Sequence, residues 1–275
     1  MAGPERHSGA LEPFELTLLG GAVERRYRAL RPEVEAFPWE TLRPEEHAPE
    51  IVALAQRSWT EAAFQEHRTA AACAATLKAL VCARVPLDLI AFASRFPLDE
   101  MAHVELCSRL AMRLGGGVRL LHDPRGLIVE PNPGLSALLQ AAELVVRNFC
   151  VGEALSIPVL RGSWHAARHP LVRAVLGRIV KDEAAHGQFG WLFLDWAEPF
   201  LDEEARAHLA RVAGDTIRAT KERWKFIVPR ADRSVDTHAL GWMESISYLE
   251  LAHRSLRTHV LEPLRARGID PGEVS

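Results

Sequence analysis

The stretch KDEAAH, residues 181–186, has the pattern of the middle of a long helix. Residues three and four apart share one face of a helix, so Glu183 and His186 fall on the same stripe as the apolar Ile179 and Phe193. A carboxylate and an imidazole on an apolar stripe are costly unless each has a partner. The stretch therefore predicts a long helix whose buried face carries a polar site.

The stretch DEMAH, residues 99–103, repeats the Asp-Glu-x-x-His pattern and places Glu100 and His103 on the apolar stripe of another predicted helix. A lone Glu-x-x-His is expected by chance in a chain of this composition, and we assign a third, Glu250 with His253, to chance. The preceding aspartate and the recurrence on two buried stripes are much rarer. The alternative is a pair of buried ion-pair networks in an inert bundle, although such a cluster without a cation would be electrostatically poor.

Composition and charge limit the class of protein. The 275 residues are 48% hydrophobic and 25% charged, as in ordinary globular proteins. The net charge is −3 without a basic block, which disfavours nucleic acid or an acidic membrane as a partner. No apolar run approaches the ~20 residues that span a bilayer, and residues 1–15 lack the layout of a secretory signal. Since the four cysteines also form no Cys-x-x-Cys pair, we expect a soluble, reduced, cytoplasmic protein.

Helical periodicity runs through most of the chain and predicts an all-α fold. Residues 1–46 are interrupted by prolines and are predicted to form an N-terminal extension with a short helix near residues 14–30. Residues 47–198 should form a core of four long helices, and residues 199–275 two more helices packed on it, within a single domain. The bounds predicted for these helices are about 47–83, 86–114, 133–167, 170–198, 201–228 and 236–265.

Connection lengths predict the topology of the four core helices. A few residues join the first helix to the second and the third to the fourth, so each pair should be antiparallel. The loop at residues 118–132 could reach about 50 Å at ~3.3 Å per residue, whereas a helix of ~28 residues is about 42 Å long. The loop can therefore run the length of the bundle, giving two hairpins joined by one long crossover. Pro97 and Pro158 are predicted to kink the second and third helices.

A site for two metals also needs carboxylates from the first and third core helices. Counted from the turn at 1.5 Å per residue, Glu66 lies about 28 Å and Glu100 about 22 Å away, whereas Glu61 would lie about 36 Å away. On the third helix, Glu153 lies at about the same distance from the next turn as Glu183 on the fourth helix, whereas Glu143 would lie about 15 Å further from that turn. Both Glu66 and Glu153 also fall on apolar stripes, and they are therefore the candidates.

Together these residues resemble the ferritin-like di-iron carboxylate superfamily over residues 47–198. That group includes bacterial multicomponent monooxygenases, ribonucleotide reductase small subunits, rubrerythrins, ferritins and arylamine N-oxygenases. The resemblance implies a ferritin-like four-helix bundle with one long crossover, here with an N-terminal extension and two C-terminal helices. It implies that six catalytic side chains ligate two metals, some of them bridging: Glu66, Glu100 and His103 for one, and Glu153, Glu183 and His186 for the other.

The resemblance also assigns supporting residues and narrows the subfamily. Asp99 and Asp182 would hydrogen-bond the far nitrogens of the ligand histidines, the alternative being solvent-facing helix charge. Cys107 stands where the radical-generating reductase subunits carry a tyrosine, which argues against a stable tyrosyl radical. Ile179 stands where the arylamine N-oxygenases carry a third histidine, which argues against a seven-ligand site. Without a rubredoxin-like cysteine cluster, a rubrerythrin is excluded.

The implied cofactors are two irons, with manganese or a mixed pair as the alternative, and the implied co-substrate is O₂. We therefore expect a di-iron oxidase or oxygenase that acts on an organic small molecule and takes electrons from an external donor. A ferroxidase or iron-handling protein without an organic substrate is the alternative, and a structural metal is a third. The superfamily also allows a homodimer.

A substrate pocket is expected beside the metals. The residues predicted to flank it lie one or two turns from a candidate ligand and are Thr69, Cys73, Cys107, Cys150 and Ser156. Plain core packing is the alternative for the cysteines, and a hydroxyl bonded back to its own helix is the alternative for Thr69.

Overall fold

A computed structural model describes residues 11–227, 237–243 and 245–273, and these are predominantly helical, which confirms the all-α prediction. None of the helices in these ranges is both long and apolar enough to cross a membrane. The α-helices are α1 (Gly21–Ala29), α2 (Pro49–Cys82), α3 (Leu87–Ala93), α4 (Phe96–Arg113), α5 (Ala137–Val145), α6 (Ala154–Ala166), α7 (Pro170–Ala197), α8 (Glu203–Trp224), α9 (Ser245–Ser255) and α10 (Glu262–Ala266).

Helices α2 and α4 are antiparallel neighbours. Near the start of α2, Gln56 Nε2 donates to the carbonyl of Leu114, just past the end of α4, at 2.6 Å. Ten residues further along α2, Glu66 Oε2 lies 3.8 Å from His103 Nδ1. Later residues of α2 therefore contact earlier residues of α4, as in an antiparallel pair. The pairing places the first Glu-x-x-His motif opposite the middle of α2.

The helix predicted over about 86–114 is two helices rather than one kinked helix. Helix α3 ends at Ala93, and Pro97 lies in the first turn of α4. Proline lacks an amide hydrogen and its ring clashes with the carbonyl four residues earlier, here that of Ala93, so a continuous helix is broken at this point. Proline is well tolerated at a helix start, and Glu100 and His103 therefore stand on an uninterrupted helix.

The segment between α4 and α5 runs along α2. Beyond the Gln56 contact, the Val118 amide donates to Thr60 Oγ1 at 3.1 Å, and the His122 ring lies 5.0 Å from that of Phe64. Each step of four residues on this segment thus matches a step of four residues on α2, in the same direction. The crossover carries the chain from the start of α2 towards its end.

This segment is more ordered than the loop predicted over residues 118–132. Leu121–His122 (β2) pairs antiparallel with Glu12–Pro13 (β1), and Pro124–Leu127 forms a 3₁₀ turn. Strands of two residues are too short to produce an alternating pattern, so the sequence did not predict them. The following helix begins at Ala137 rather than at residue 133, because the Ser136 side chain accepts from the Leu139 amide and caps it.

The third core helix is α5 continued through a π-helical segment, Val146–Glu153, into α6. Asn148 Nδ2 in the π segment donates to Thr76 Oγ1 at 3.0 Å. Glu153, at its end, belongs to a cluster that shares Glu100 and Glu183 with the cluster of Glu66, so this helix is antiparallel to α2 and parallel to α4. Helix α6 runs through Pro158 to Ala166. Single π turns within α-helices are frequent at functional sites.

Helix α7 follows after a short turn and packs closely on the π segment. Its N-cap His169 accepts from the Leu171 amide through Nδ1. A Cβ on Gly190 would lie 2.7 Å from Cys150 Sγ and 3.1 Å from the Cys150 amide nitrogen, closer than side chains tolerate. A Cβ on Gly187 would lie 2.7 Å from Ile157 Cδ1. Both glycines therefore serve helix packing, which brings α7 close to the third core helix.

The C-terminal helices are shorter than predicted over about 201–228 and 236–265. Asp202 caps α8, which ends at Trp224, and residues 228–236 lie outside the described ranges. The last helical region is described from Ser245 onwards. Before it, Gly241 has a φ of 97°, and a Cβ there would lie 2.6 Å from Val172. A second π segment, Leu256–Leu261, joins α9 to α10.

Candidate metal centre

The structure brings all six predicted ligands together. Two clusters of side chains have ligand atoms within 4.8 Å of one another. One cluster consists of Glu66, Glu100, His103 and Glu183, and the other of Glu100, Glu153, Glu183 and His186. Glu100 and Glu183 belong to both, so the clusters form one centre. The side chains of this centre come from four elements, namely α2, α4, the end of the π segment and α7.

The two shared glutamates lie between the two histidines. His186 Nδ1 lies 3.0 Å from Glu100 Oε1 and 3.0 Å from Glu183 Oε2. His103 Nδ1 lies 3.7 Å from Glu100 Oε2 and 3.3 Å from Glu183 Oε1. Each carboxylate therefore turns one oxygen towards each imidazole. This is the arrangement expected of carboxylates that bridge two cations.

The centre is deeply buried and its inward atoms lack hydrogen-bond partners. Glu100, His103 and His186 are fully buried, and Glu183 nearly so. Among the described residues, neither carboxylate oxygen of Glu100 has a hydrogen-bond partner, and neither does the Nδ1 of either histidine. Buried polar atoms are normally satisfied, because desolvation without a partner is costly. Cations between the side chains would satisfy these atoms, so the residues fit a metal centre.

The far nitrogen of each histidine faces an aspartate on the other helix. His103 Nε2 lies 3.4 Å from Asp182 Oδ2, and His186 Nε2 lies 3.5 Å from Asp99 Oδ2. Both aspartates are buried, so neither is a solvent-facing helix charge. A carboxylate at the far nitrogen fixes the tautomer and the ring orientation of a metal-binding histidine. The aspartate of each motif therefore supports the histidine of the other.

Two arginines hold these aspartates, and they were missed from the sequence. Arg95 Nε donates to Asp99 Oδ2 at 2.8 Å, and Arg178 Nε donates to Asp182 Oδ2 at 2.6 Å. Arg178 also pairs with Glu33 of the N-terminal segment. The signal was present, because the two motifs extend to RFPLDEMAH (95–103) and RIVKDEAAH (178–186). An arginine four residues before an aspartate is a standard helical ion pair.

Charge balance distinguishes the aspartates from the glutamates. The two arginines balance the two aspartates, and the four glutamates remain in a buried space with only two imidazoles. Burial raises the pKa of Glu66 to about 8, and it raises the pKa of Glu153 well above its usual value with help from the charge of Glu183. Two divalent cations would balance four glutamates, which is the charge that such a donor set suits.

Protons take the place of those cations in the metal-free centre. Burial opposes a charged His186, but the neighbouring carboxylates of Asp99, Glu100 and Glu183 raise its pKa to about 12. The pKa of His103 is also raised well above its usual value by its carboxylate neighbours, against burial. Metal ions would therefore have to displace protons from both imidazoles.

A cavity of about 2260 Å³ adjoins the centre and is lined by Glu66, Glu153 and Glu183 among others. Thr69 and Ser156 line it as predicted, and Ser156 Oγ donates to Glu153 Oε2 at 3.2 Å. Thr69 Oγ1 also bonds back to Gln65 O. The three cysteines Cys73, Cys107 and Cys150 are buried in the hydrophobic core, which is the alternative given for them. Their stripes face neighbouring helices, and burial raises the pKa of all three thiols.

Comparisons with protein-family models, with curated proteins and with solved structures find no match for this chain.

Proposed function

We propose that the chain is a ferritin-like four-helix bundle of the di-iron carboxylate type. The proposal is supported by the antiparallel α2–α4 pair and by the short turn between α6 and α7. It is also supported by the crossover along α2, which leaves α4 and α5 parallel. Such bundles place one glutamate on each of two helices and a Glu-x-x-His on each of the other two. The helices here carry that distribution.

The centre would hold two iron ions, or manganese in one or both positions, because oxygen-rich donor sets suit both metals. The observation that carries this proposal is the position of Glu100 and Glu183, each with one oxygen towards each histidine. Glu66 would complete one position and Glu153 the other. The Arg–Asp pairs would keep both imidazoles oriented with Nδ1 inward.

The function that this arrangement supports best is an O₂-dependent oxidase or oxygenase acting on an organic small molecule. Two ferrous ions held by these residues would supply the two electrons for the reduction of O₂, and an external donor would replace those electrons. The cavity beside three of the candidate ligands supports an organic substrate, because an iron-storing centre needs no such space. Glu66 keeps 14% of its side-chain surface exposed, so this ligand borders the space that a substrate would occupy.

Metal analysis tests the proposal. We expect about two irons per chain after anaerobic loading with Fe(II), and a transient visible absorbance when O₂ is added. Glu183→Gln should lower the iron content to below about one per chain, because it alters both positions at once. Glu61→Gln, an exposed change on α2, is the matched control and should load normally.

Two outcomes would contradict the proposal. Iron uptake far beyond two per chain would indicate iron handling instead of substrate oxidation. Failure of the folded wild-type protein to bind iron or manganese would leave the centre as a buried polar network.

A further inference from the structure

We propose that the cavity beside the metal centre binds an organic acid, with Arg68 and Arg223 holding its carboxylate or phosphate head. The proposal rests on the proposed function, because it names the class of substrate that the same centre would oxidise. The predicted ligand has an anionic head group and an apolar body.

The two arginines line the cavity from different helices and have no acidic partner among the described residues. Arg68 lies on α2 and Arg223 on α8. Within the described ranges, their side-chain hydrogen bonds go to neutral groups, from Arg68 to Gln65 Oε1 at 3.0 Å and from Arg223 to Thr220 Oγ1 at 3.0 Å. The arginines behind the buried aspartates differ, since Arg178 donates to a carboxylate at 2.6 Å. The guanidinium charge in the cavity is therefore available to a ligand.

The acidic residues of the cavity do not neutralise this pair. Glu61, Glu130 and Glu250 also line the cavity, but no carboxylate in the described part of the chain lies within ion-pair distance of either guanidinium. The charged group that acts on Arg68 is instead a second cation, Arg223, which lines the same cavity. An anion between the two would relieve this repulsion and use their planar N–H donors.

A phenol completes the donor group. Tyr248, on α9, lines the same cavity, and burial raises its pKa while the nearby charge of Arg223 opposes that rise. The neutral hydroxyl can donate to an oxygen of the ligand. Arg68, Arg223 and Tyr248 thus present donors from three helices.

The rest of the wall suits an apolar body. Much of it is formed by large apolar side chains, among them Leu54, Leu155, Val159, Leu160, Trp224 and Trp242. Apolar walls with a few placed polar groups are typical of sites for organic ligands. Arg68 follows Glu66 by two residues, about 3 Å along the helix axis. The head group would therefore bind at about the height of the metal centre.

Ligand titration of the iron-loaded, anaerobic protein tests the proposal. The probes are decanoate, decyl phosphate and decan-1-ol, followed by tryptophan fluorescence, with iron content measured on the same samples. We expect the better of the two anions to bind at least about tenfold more tightly than the alcohol. The two anions also distinguish a carboxylate head from a phosphate head.

Variants locate the site. Arg68→Gln and Arg223→Gln should each weaken anion binding about tenfold and leave alcohol binding unchanged. Arg57→Gln is the matched control, because Arg57 lines the same cavity about 16 Å away along α2. This control variant should leave both anion binding and alcohol binding unchanged.

The proposal is overturned if the anions bind no more tightly than the alcohol in protein that carries its full iron. It is also overturned if the preference survives both arginine variants, since the anion would then bind the metals directly. If the protein binds anions through the two arginines but takes up no metal, the proposed function is wrong and the acid-binding site is retained.

Discussion

His186 on α7 directs its Nε2 to the carboxylate of Asp99 on α4, at 3.5 Å. The reciprocal pair, His103 with Asp182, is 3.4 Å apart. Neither nine-residue motif is therefore self-contained. The orientation of each histidine depends on an acid that belongs to the other helix.

This exchange predicts the effect of changing an aspartate. Asp99→Asn should weaken metal affinity about 10- to 100-fold, because the amide no longer accepts the His186 hydrogen as a charged group. Asp182→Asn should have a similar effect through His103. Competition against a chelator measures both, and Asp88→Asn, an exposed change on α3, is the control. Unaltered affinity in both variants would contradict the role of these acids.

The arginines behind the aspartates should contribute unequally to stability. Arg178→Gln should lower the free energy of unfolding by about 1–3 kcal/mol, because it leaves the buried Asp182 without its charged donor. Arg95 is half exposed, and Arg95→Gln should cost less than about 1 kcal/mol. Urea denaturation of the metal-free protein compares the two. A larger loss for Arg95→Gln would contradict this order.

The metal-free protein should lose stability as pH rises from about 5 to about 8. The pKa of Glu66 is raised from 4.5 to about 8, so the folded state binds more protons than the unfolded state within that window. Its stabilising proton is fully present below 4.5 and is lost as pH rises through about 8. The raised pKa of Glu153 acts in the same direction.

Thermal unfolding across that pH range measures the effect. Glu66→Gln should flatten the dependence, because the amide does not titrate. A melting temperature that rises with pH in the metal-free wild-type protein would be the contrary result.

Close packing of α7 on the π segment predicts the effect of adding one methyl group. Gly190→Ala would place a Cβ 2.7 Å from Cys150 Sγ, and it should cost about 1–3 kcal/mol of stability. Gly126→Ala is the control, because nothing lies within 4 Å of a Cβ built there. Guanidinium denaturation compares them. Equal stability of the two variants would show that α7 can move away without cost.

Much of the centre could be predicted because its residues obey helix geometry. The spacing of Glu183 and His186 fixes their shared face, and counting from the turns selects Glu66 over Glu61. The arginines could have been predicted too, by extending the same spacing four residues backwards to Arg178. These features depend on one helix at a time.

Other features depend on how helices meet, which spacing does not encode. The exchange of aspartates depends on the rotation of α4 against α7. The core positions of Cys107 and Cys150 depend on which side of each helix meets a neighbour rather than the cavity. The π segment is a local widening of an α-helix that packs on α7, and the spacing of its residues in the sequence does not indicate it.

The repeated motif RxxxDExxH gives α4 and α7 an approximate pairwise symmetry around Glu100 and Glu183, because the aspartate of each motif faces the histidine of the other. Under that symmetry the two halves of the centre are equivalent in arginine, aspartate, glutamate and histidine. The remaining ligands break it, since Glu66 is partly exposed and Glu153 is buried beside the Ser156 hydroxyl. The arginines break it as well, since Arg95 is half exposed whereas Arg178 also pairs with Glu33. Any difference between the two metal positions in affinity or exchange rate should therefore originate in α2, in the π segment or in the arginines behind the aspartates.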